Sequence, residues 1–464
     1  MAHKTLIGGT SYNVVSGTSM VSGTTYNISN GKTLVGGTGY DINFVYPKTA
    51  MLYSDGNFVF QEGNDVAYGK TLTASYTGFE DGAIFPQWHE LQYSFTNVSF
   101  DTEVIPTSIS FWFYDACYMT SNISNFSNLN MNNVTNMSYA YYWCHNLTGS
   151  PACGANVTNM SSTYYYCNNL TGDPVCGSNV TDMSQAYSGC RNLTGSPVCG
   201  ANVTNMSGAY SSCFNLTGSP VCGSKVVNMR DAYFACNSLT GFPVCGNNVN
   251  NMARAYYCCD QLRGSPACGR NVTNMVQAYF GCASLTGSPA CGANVINMCN
   301  AYRDCYNITG SPVCGSNVTD MRETYYFCYN LTGAPVCGNN VTNMSYAYYW
   351  CHNLTGSPAC GANVTNMSHA YSYCMNLSGN AYFYSPSVSN MTKCFYYRTA
   401  TNRLNIYVVA NSTTNTTIHY SNTSSIVGNA ITWSNTGSYQ YNTRYNIYIY
   451  PVANVIASRV ANGD

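Results

Sequence analysis

Residues 134–156 read VTNMSYAYYWCHNLTGSPACGAN, and residues 157–179 read VTNMSSTYYYCNNLTGDPVCGSN. The same 23-residue frame recurs nine more times, so that a methionine stands at one fixed place in every repeat from Met137 to Met367. If that methionine is position 0, Ala or Thr occupies position +3, Tyr +4, Cys +7 and Leu or Ile +10. More than half of the chain is therefore one structural unit, repeated eleven times.

The spacing within the unit predicts a short helix. Positions 0, +3, +4 and +7 lie on one face of an α-helix, so Met137, Ala140, Tyr141 and Cys144 are expected to point inward together. The following TGSPAC contains Gly and Pro, which break a helix, so this segment is expected to be extended. One such unit cannot bury its own apolar face, whereas stacked copies can. The predicted fold class is a repeat solenoid with a short helix and an extended segment in each 23-residue turn.

All-β segments are predicted on both sides of the array. Residues 1–45 contain three copies of a 14-residue repeat, beginning with KTLIGGTSYNVVSG, which predict short strands for attachment or assembly. Residues 46–110 predict a β-rich domain in which LYSDGNFVFQEG forms a hairpin. Residues 111–395 hold the array, and the imperfect repeats at its ends, FWFYDACYMTSNISNFSNLNMNN and YFYSPSVSNMTKCFYY, are expected to cap it. Residues 396–464 alternate apolar and polar residues, as a terminal β domain does.

The composition excludes several classes of function. Of 464 residues, 8% are charged and the net charge is -1, so there is no basic patch for nucleic acid. No stretch approaches 18 uninterrupted apolar residues, so membrane insertion is not expected. The opening MAHKTLIGGTSYNVV lacks the apolar region and cleavage site of a secretory signal. These features predict synthesis in a cytoplasm without export by the ordinary route.

The cysteines follow the repeat. Of 25 Cys, eleven stand at position +7 and ten at +16. The separations of nine and fourteen residues do not match the paired C-x2-C spacing of zinc sites. Eleven stacked thiols cannot all pair as disulfides, so we expect buried, reduced thiols that fill the core. Asn at positions −1 and +9 is expected to form hydrogen-bonded columns that join adjacent turns.

Motifs that resemble catalytic sites do not assemble into one. GNDVAYGKT at residues 63–71 has five residues between its glycines instead of the four of a phosphate loop, so a hairpin turn is favoured. Trp88, His89 and Glu90 have no second histidine nearby for a metal. Asp173, Asp182, Asp231, Asp304 and Asp320 of the array lie in different repeats. We therefore expect no enzyme activity, no catalytic residues, no cofactor and no metal.

Variation between repeats indicates where a ligand binds. The residues change most at positions +1, +2, +5, +6 and +8, and the changes supply aromatic and small polar residues in place of the Lys and Glu that neutral drift at a solvent surface supplies. A rigid scaffold with varied aromatic side chains is typical of a binding surface, and drift is the alternative. The candidate ligand-binding residues are Tyr142, Trp143, Tyr165, Tyr166, Phe234, Tyr257, Phe280, Arg303, Tyr326, Phe327, Tyr349, Trp350 and Tyr373.

The motif NMxxAYxxCxNLTG resembles the BspA-like leucine-rich repeats, also called the Treponema pallidum type, over residues 111 to about 395. LYSDGNFVFQEG and FWFYDAC are similar to the segment that precedes the repeats in such surface proteins. The resemblance implies a leucine-rich-repeat fold and a surface role. Family members carry Leu-x-x-Ile-x-Leu, whereas here the third position after Leu is Ser150, Asp173 or Ser196, followed by Pro, so a less regular strand side is expected. The 14-residue repeats and NIYIYPVANV are similar to structural proteins of phages and prophages of gut Firmicutes.

Together these features predict a non-enzymatic adhesion protein on a virion surface, associated with a tail. Its expected partners are a bacterial cell-surface polysaccharide or protein and, through the N-terminal segment, other virion proteins. A homo-oligomer is expected. One alternative is a BspA-like bacterial adhesin at the cell surface that binds host proteins. Another is a purely structural virion decoration or filament subunit.

Overall fold

The structure is a computed structural model. It describes residues 48–79, 86–379, 390 and 393–395, without the side chain of Ser124, and elsewhere the backbone of strands alone. The part of the chain that it describes contains strands and three short 3-10 helices, His89–Ser94, Ile123–Asn125 and Met131–Asn133, but no α-helix. The strands are β1 His3–Ile7, β2 Thr10–Val15, β3 Thr18–Val21, β4 Thr24–Asn27, β5 Lys32–Val35, β6 Thr38–Asp41, β7 Lys48–Tyr53, β8 Asn57–Glu62, β9 Leu72–Thr77, β10 Asn97–Phe100, β11 Gly379–Phe383, β12 Leu404–Asn411, β13 Ile418–Tyr420, β14 Ser424–Val427, β15 Ala430–Trp433 and β16 Tyr445–Val452.

The N-terminal strands follow the 14-residue repeats. Each copy forms one antiparallel hairpin, β1 with β2, β3 with β4 and β5 with β6. Strands β1 to β4 join in one sheet in chain order, and β5 and β6 form a second sheet. The short strands predicted for residues 1–45 are therefore present.

The next sheet contains the predicted hairpin. Strands β7 and β8 pair antiparallel around a turn that contains Asp55 and Gly56. Gly56 has a positive φ of 81°, which glycine adopts readily in a tight turn. The sheet order is β10-β8-β7-β9, with β10 parallel to β8. Its core is aromatic: Phe60 stacks on Trp112 at 5.5 Å, and the buried Trp88 indole N–H donates to the Trp112 carbonyl at 2.6 Å. This contact ties the sheet to the start of the array.

The predicted helix in each repeat is wrong, because positions −1 to +7 form a run of tight turns. The N–H groups at +3, +5 and +7 donate three residues back, as Ala140 does to the Met137 carbonyl at 3.0 Å. The N–H groups at 0, +2, +4 and +6 donate instead to the next repeat, as Tyr141 does to the Thr163 carbonyl at 2.9 Å. An α-helix would bond every one of these groups four residues back within its own segment. The spacing nevertheless predicted the inward face correctly, because Met137, Ala140, Tyr141 and Cys144 are all buried.

This alternation places two residues of each repeat in the left-handed region. At the non-glycine residues of positions +2 and +6, φ lies between 52° and 64°. Each such residue costs about 1–2 kcal/mol, whereas each of the four hydrogen bonds to the next repeat contributes about 0.5–1.5 kcal/mol. Val, Ile and Thr, whose branched side chains fit this region least well, occur at neither position in the eleven repeats.

Equivalent residues of successive repeats lie side by side in buried columns. Met, Ala, Tyr, Cys and Leu at positions 0, +3, +4, +7 and +10 are nearly all fully buried, as predicted for Met137, Ala140, Tyr141 and Cys144. The tyrosines at +4 form an uninterrupted stack, with ring centroids 5.2–5.6 Å apart. Every repeat also has the same length of 23 residues. The repeats therefore stack in register.

From the second exact repeat onward, the buried tyrosine hydroxyls and thiols of these columns form hydrogen bonds with the backbone. The Tyr164 hydroxyl donates to the Ala152 carbonyl at 2.6 Å and accepts from the Ala152 N–H at 3.0 Å, so one hydroxyl fastens the extended segment of the repeat before it. The Cys167 thiol donates to the Tyr141 carbonyl of the preceding repeat at 3.0 Å. Burial raises the pKa of these tyrosines and thiols well above their ordinary values. All 25 cysteines are free thiols. The eleven at +7 are buried, as expected for thiols that fill the core, whereas the ten at +16 are partly exposed.

The asparagine columns differ in part from those predicted. At −1 the side chain of Asn136 accepts from the N–H of Ser138 in its own repeat at 2.9 Å, so the predicted side-chain column is wrong there, and backbone bridges join the repeats instead. At +9 the Asn330 amide donates to Asn307 of the preceding repeat at 3.3 Å, as predicted. An unpredicted column at +19 donates to carbonyls of the preceding repeat: Asn156, Asn179, Asn202, Asn248, Asn294, Asn317, Asn340 and Asn363.

The array extends slightly beyond the exact repeats at both ends. At the start, Ser108 bridges Asn136, and the N–H of Phe113 donates to the Ala140 carbonyl at 2.8 Å, so the first cap begins about three residues before residue 111. At the end, Asn390 bridges Asn366. Phe113 and Phe395 continue the tyrosine stack at its two ends, at 5.5 and 5.6 Å.

Beyond the array, β11 pairs in parallel with β12, and β12 with β16. Strands β13, β14 and β15 form a separate antiparallel sheet. Strands are therefore present where the alternating pattern predicted them. Much of residues 396–464 lies outside the described residues, and the domain boundaries drawn from the sequence stay a prediction.

Candidate binding surface

The variable positions +2, +5, +6 and +8 form one surface along the array, which we call the variable face. All thirteen candidate residues lie on it, and each keeps part of its side chain accessible to solvent. Trp143 is the most exposed of them, with 41% of its surface accessible. The structure thus brings the predicted residues together because the repeats stack in register.

The +5 residues form two stacks along the variable face. The first contains Tyr114, Tyr142 and Tyr165, with ring centroids 4.7–4.8 Å apart and planes within 4°. It ends where Ser188 and Ser211 replace the rings. The second stack then runs without a break to Tyr349 and contains Phe234, Tyr257, Phe280, Arg303, Tyr326 and Tyr349.

Arg303 belongs to the second stack as a planar cation. Its guanidinium lies 5.4 Å from the Phe280 ring centroid and 4.4 Å from that of Tyr326, so it takes the place of a ring. Glu323 of the next repeat pairs with Arg303, and burial raises the pKa of the adjacent Asp304 carboxyl. The charge of Arg303 is therefore largely neutralised within the face.

Mutual stacking determines which parts of the +5 rings can meet a ligand. Parallel rings less than 5 Å apart cover each other's faces, so inside a stack the ring edges and the side-chain tips are what remains accessible. Along the +5 stacks, a ligand such as a sugar can therefore contact ring edges and hydroxyls but not the ring faces.

The +6 residues differ from the +5 residues because their rings are tilted. Trp143 and Tyr166 lie 5.8 Å apart with an angle of 39° between their planes, and Trp350 and Tyr373 lie 4.8 Å apart at 35°. Gly189 follows Tyr166 in this column, and a Cβ there would lie 2.9 Å from the Tyr166 ring, so the ring rests on the glycine backbone. Between Tyr166 and Phe327 the +6 residues are small or acidic: Gly189, Ser212, Ala235, Cys258, Gly281 and Asp304.

The +2 column also contributes to the face, although no +2 residue was among the predicted site residues. Asp231 pairs with Arg254 of the next repeat at 2.7 Å, and Arg254 lies over the Phe234 ring at 5.7 Å. Tyr346 stacks on His369 at 4.5 Å. The signal was present in the sequence, since +2 is one of the positions that vary most between repeats.

The structure places the other motifs in structural roles. GNDVAYGKT connects β8 to β9, with positive φ at Gly63 and Gly69. The predicted hairpin turn is wrong, because β7 lies between these two strands in the sheet and they do not pair with each other. Trp88 is buried, and His89 contacts the Tyr114 ring at 5.7 Å. Within the described residues, no three His, Cys, Asp or Glu side chains are grouped closely enough to hold a metal ion. The same part of the chain has no helix with the length and apolar character of a membrane span.

Comparisons with known proteins give two matches. A family model described as "Mycoplasma protein of unknown function, DUF285" matches residues 89–196, which contain the first cap and the first repeats. The crystal structure of a leucine rich cell surface protein from Faecalibacterium prausnitzii A2-165 is similar at 13% identity, over 79% of this chain and 88% of that chain, with a TM-score of 0.25. So low a TM-score supports no argument about this chain. No curated protein matches it.

Neither match is to a phage protein, so the phage resemblance of the flanking segments stays a prediction.

Proposed function

We propose that the protein is a non-enzymatic adhesion protein. Its stacked repeats form a leucine-rich-repeat-like solenoid, and the variable face of that solenoid binds a polysaccharide or protein on a bacterial surface. The observation that carries the proposal is the second +5 stack, which presents Phe234 through Tyr349 at the surface, on a backbone whose buried columns hardly change.

The chemistry of the face supports this role. Aromatic residues and Arg are the side chains most enriched in binding hot spots, because they offer large rigid contacts at low entropic cost. Their stacking fixes them before a ligand arrives, so binding would lose little side-chain freedom.

The proposal is independent of where the protein is displayed. A virion surface and a bacterial cell surface both remain possible sites of display, and the same contacts would serve either. Attachment to other virion proteins through residues 1–45, and homo-oligomer formation, stay predictions from the sequence.

A binding assay on intact cells tests the proposal. Fluorescently labelled full-length protein would be added to a panel of gut bacterial cells, alongside a variant carrying Tyr257→Ser, Phe280→Ser and Tyr326→Ser. Serine is tolerated in this column, since Ser188, Ser211 and Ser372 occupy it naturally. We expect selective binding that this variant loses by at least tenfold.

A matched variant controls for the loss of exposed apolar surface. Val227→Ser, Phe242→Ser and Ile296→Ser remove three exposed apolar side chains outside the variable face and should leave binding unchanged. Pretreating the cells with periodate or with protease separates polysaccharide from protein ligands. If no cell binds and the mass of the protein rises with its concentration, the proposal fails, and a structural subunit becomes the better description.

A further inference from the structure

The array contains the same surface residues twice. Residues 133–161 and 340–368 are identical, and they lie nine repeats apart. Each copy places Tyr at +2 and +5, Trp at +6 and His at +8. In the first copy these are Tyr139, Tyr142, Trp143 and His145, and in the second Tyr346, Tyr349, Trp350 and His352.

The side chains of the two copies also pack alike. The +2 and +5 tyrosine rings are 5.4 Å apart in both copies. The Trp and His rings are 5.2 Å apart in the first copy and 5.0 Å apart in the second. The φ values of the two tryptophans are 62° and 64°. Equal sequences in equal backbones therefore give two surfaces with the same chemistry.

The next repeat adds a tyrosine to both surfaces, with ring centroids 5.8 Å apart in the first pair and 4.8 Å apart in the second. A tyrosine at +6 follows each tryptophan, and the two rings are tilted by 39° in the first pair and 35° in the second. The tilt distinguishes these pairs from the parallel +5 stacks, because rings at an angle form an open corner. We call the two surfaces station 1, built on Trp143 and Tyr166, and station 2, built on Trp350 and Tyr373.

The stretch between the stations does not repeat this chemistry. Its +6 column contains the six small or acidic residues from Gly189 to Asp304, and Phe327 directly precedes station 2. Nine steps of about 4.8 Å, the ordinary spacing of neighbouring strands, separate the two tryptophans by roughly 43 Å.

We propose that stations 1 and 2 are two equivalent binding sites for one class of ligand, a neutral polysaccharide, and that one polymer chain bridges both. This inference rests on the proposed function and specifies its ligand and the number of sites. Neither group of four residues includes an Asp, Glu, Lys or Arg, which fits an uncharged ligand. Tyr hydroxyls, the indole N–H and the imidazole supply hydrogen bonds for sugar hydroxyls, and the tilted rings supply apolar contact.

Two sites on one rigid chain change the affinity in a way that depends on ligand length. A polymer long enough to reach both stations gains about 10²–10⁴-fold over a single site, whereas a fragment shorter than the separation gains nothing. Short fragments should therefore bind with a stoichiometry of two per chain and equal affinity. Long chains should bind one per protein chain and far more tightly.

The experiment uses the full-length protein and an array of immobilised neutral polysaccharides: dextran, mannan, galactan and galactomannan. The polysaccharide that binds is then hydrolysed into a size series, and binding is followed by calorimetry. Trp143→Ser, Trp350→Ser and the double variant are compared. Ser212 already occupies the same column at a φ of 60°, so these substitutions should fold, and circular dichroism checks this.

Each single variant is expected to bind short fragments at one per chain and to lose roughly 100-fold in affinity for the long polymer. The double variant should bind neither. Ala235→Ser, in the same column between the stations, is the control and should bind like the unmodified protein.

Three results would overturn the inference. The first is a stoichiometry of one for short fragments. The second is unchanged affinity for the long polymer in both single variants. The third is an absence of binding to every polysaccharide on the array. If cells still bind through the +5 stack while the tryptophan variants behave normally, the proposed function stands and the two-station inference alone fails.

Discussion

Positions +4 and +5 carry stacked aromatic rings on opposite sides of the same backbone, yet the two columns do different things. The +4 tyrosines are buried and uninterrupted through all eleven repeats, and from Tyr164 to Tyr371 their hydroxyls bind the backbone. The +5 residues lie partly in solvent, and serines and one arginine interrupt their rings. The comparison teaches that stacking in register is a property of the scaffold, whereas burial decides which stacked residues can vary.

The largest expected difference between the columns appears at alkaline pH. Burial raises the pKa of the +4 tyrosines well above the ordinary value, and does the same for the +7 thiols. Groups with a raised folded-state pKa contribute stability that is complete below their unfolded pKa and is lost as the pH rises above it. Between its unfolded and its folded pKa, each such group lowers the free energy of unfolding by about 1.4 kcal/mol per pH unit. We therefore expect cooperative unfolding between the unfolded pKa of the thiols, about 8.5, and somewhat above that of tyrosine, about 10.

Absorbance of tyrosinate at 295 nm during a pH titration measures this, with circular dichroism recorded in parallel. Burial raises the pKa of the partly exposed Tyr257 less strongly than that of the buried Tyr256. Tyr257 should therefore begin to ionise at a lower pH than the buried tyrosines, which ionise only as the structure is lost. A single smooth titration of all tyrosines in a protein that stays folded would contradict the distinction between the columns.

The second prediction compares neighbouring residues directly. Tyr256→Ala should lower the free energy of unfolding by about 3–5 kcal/mol, because it opens a cavity in the buried stack. Tyr257→Ser should change it by less than about 1 kcal/mol, since serine already occurs in the +5 column. Chemical denaturation of both variants gives the two values. Equal losses would mean that the +5 stack supports the fold as much as the +4 stack does.

The sequence was sufficient to predict which positions of the repeat are buried and which lie at the surface. The period of 23, the inward face and the surface position of the thirteen candidate residues all followed from which positions repeat and which vary. The predicted helix failed because apolar spacing reports which side chains point inward and not how the backbone is hydrogen-bonded. The two left-handed columns could have been inferred from the absence of Val, Ile and Thr. The sequence could not have shown that the +5 rings cover each other's faces, because this depends on the actual distance between repeats.

The third prediction isolates the hydroxyl of the inner column. The Tyr256 hydroxyl donates to the Val244 carbonyl at 2.6 Å and accepts from its N–H at 3.1 Å. Tyr256→Phe leaves both backbone groups without that partner and should lower the free energy of unfolding by about 1–3 kcal/mol. Tyr257→Phe in the partly exposed column should leave the free energy of unfolding almost unchanged, because water can replace any lost hydrogen-bond partner. Thermal denaturation of the two variants is sufficient to separate them, and a neutral Tyr256→Phe would show that the hydroxyl is dispensable.

The smallest expected effects concern the backbone that holds the two columns apart. Ala235 at +6 has a φ of 56°, a region that glycine enters without cost. Ala235→Gly should therefore leave stability unchanged or raise it by up to about 1 kcal/mol, whereas Ala235→Val should lower it by about 1–2 kcal/mol. Both changes are read from the midpoint of urea unfolding.

The same substitution at a position without a positive φ provides the control. Ala253, at +1 in the next repeat, is buried, has no positive φ, and donates its N–H to the Asn251 side chain at 3.0 Å. Ala253→Gly should lower stability by about 0.5–1 kcal/mol, because glycine loses more freedom on folding. Opposite signs for the two Ala→Gly changes would establish that the left-handed residues are held by hydrogen bonds to the neighbouring repeat. Equal destabilisation at both sites would mean that the turns do not require the left-handed backbone in solution.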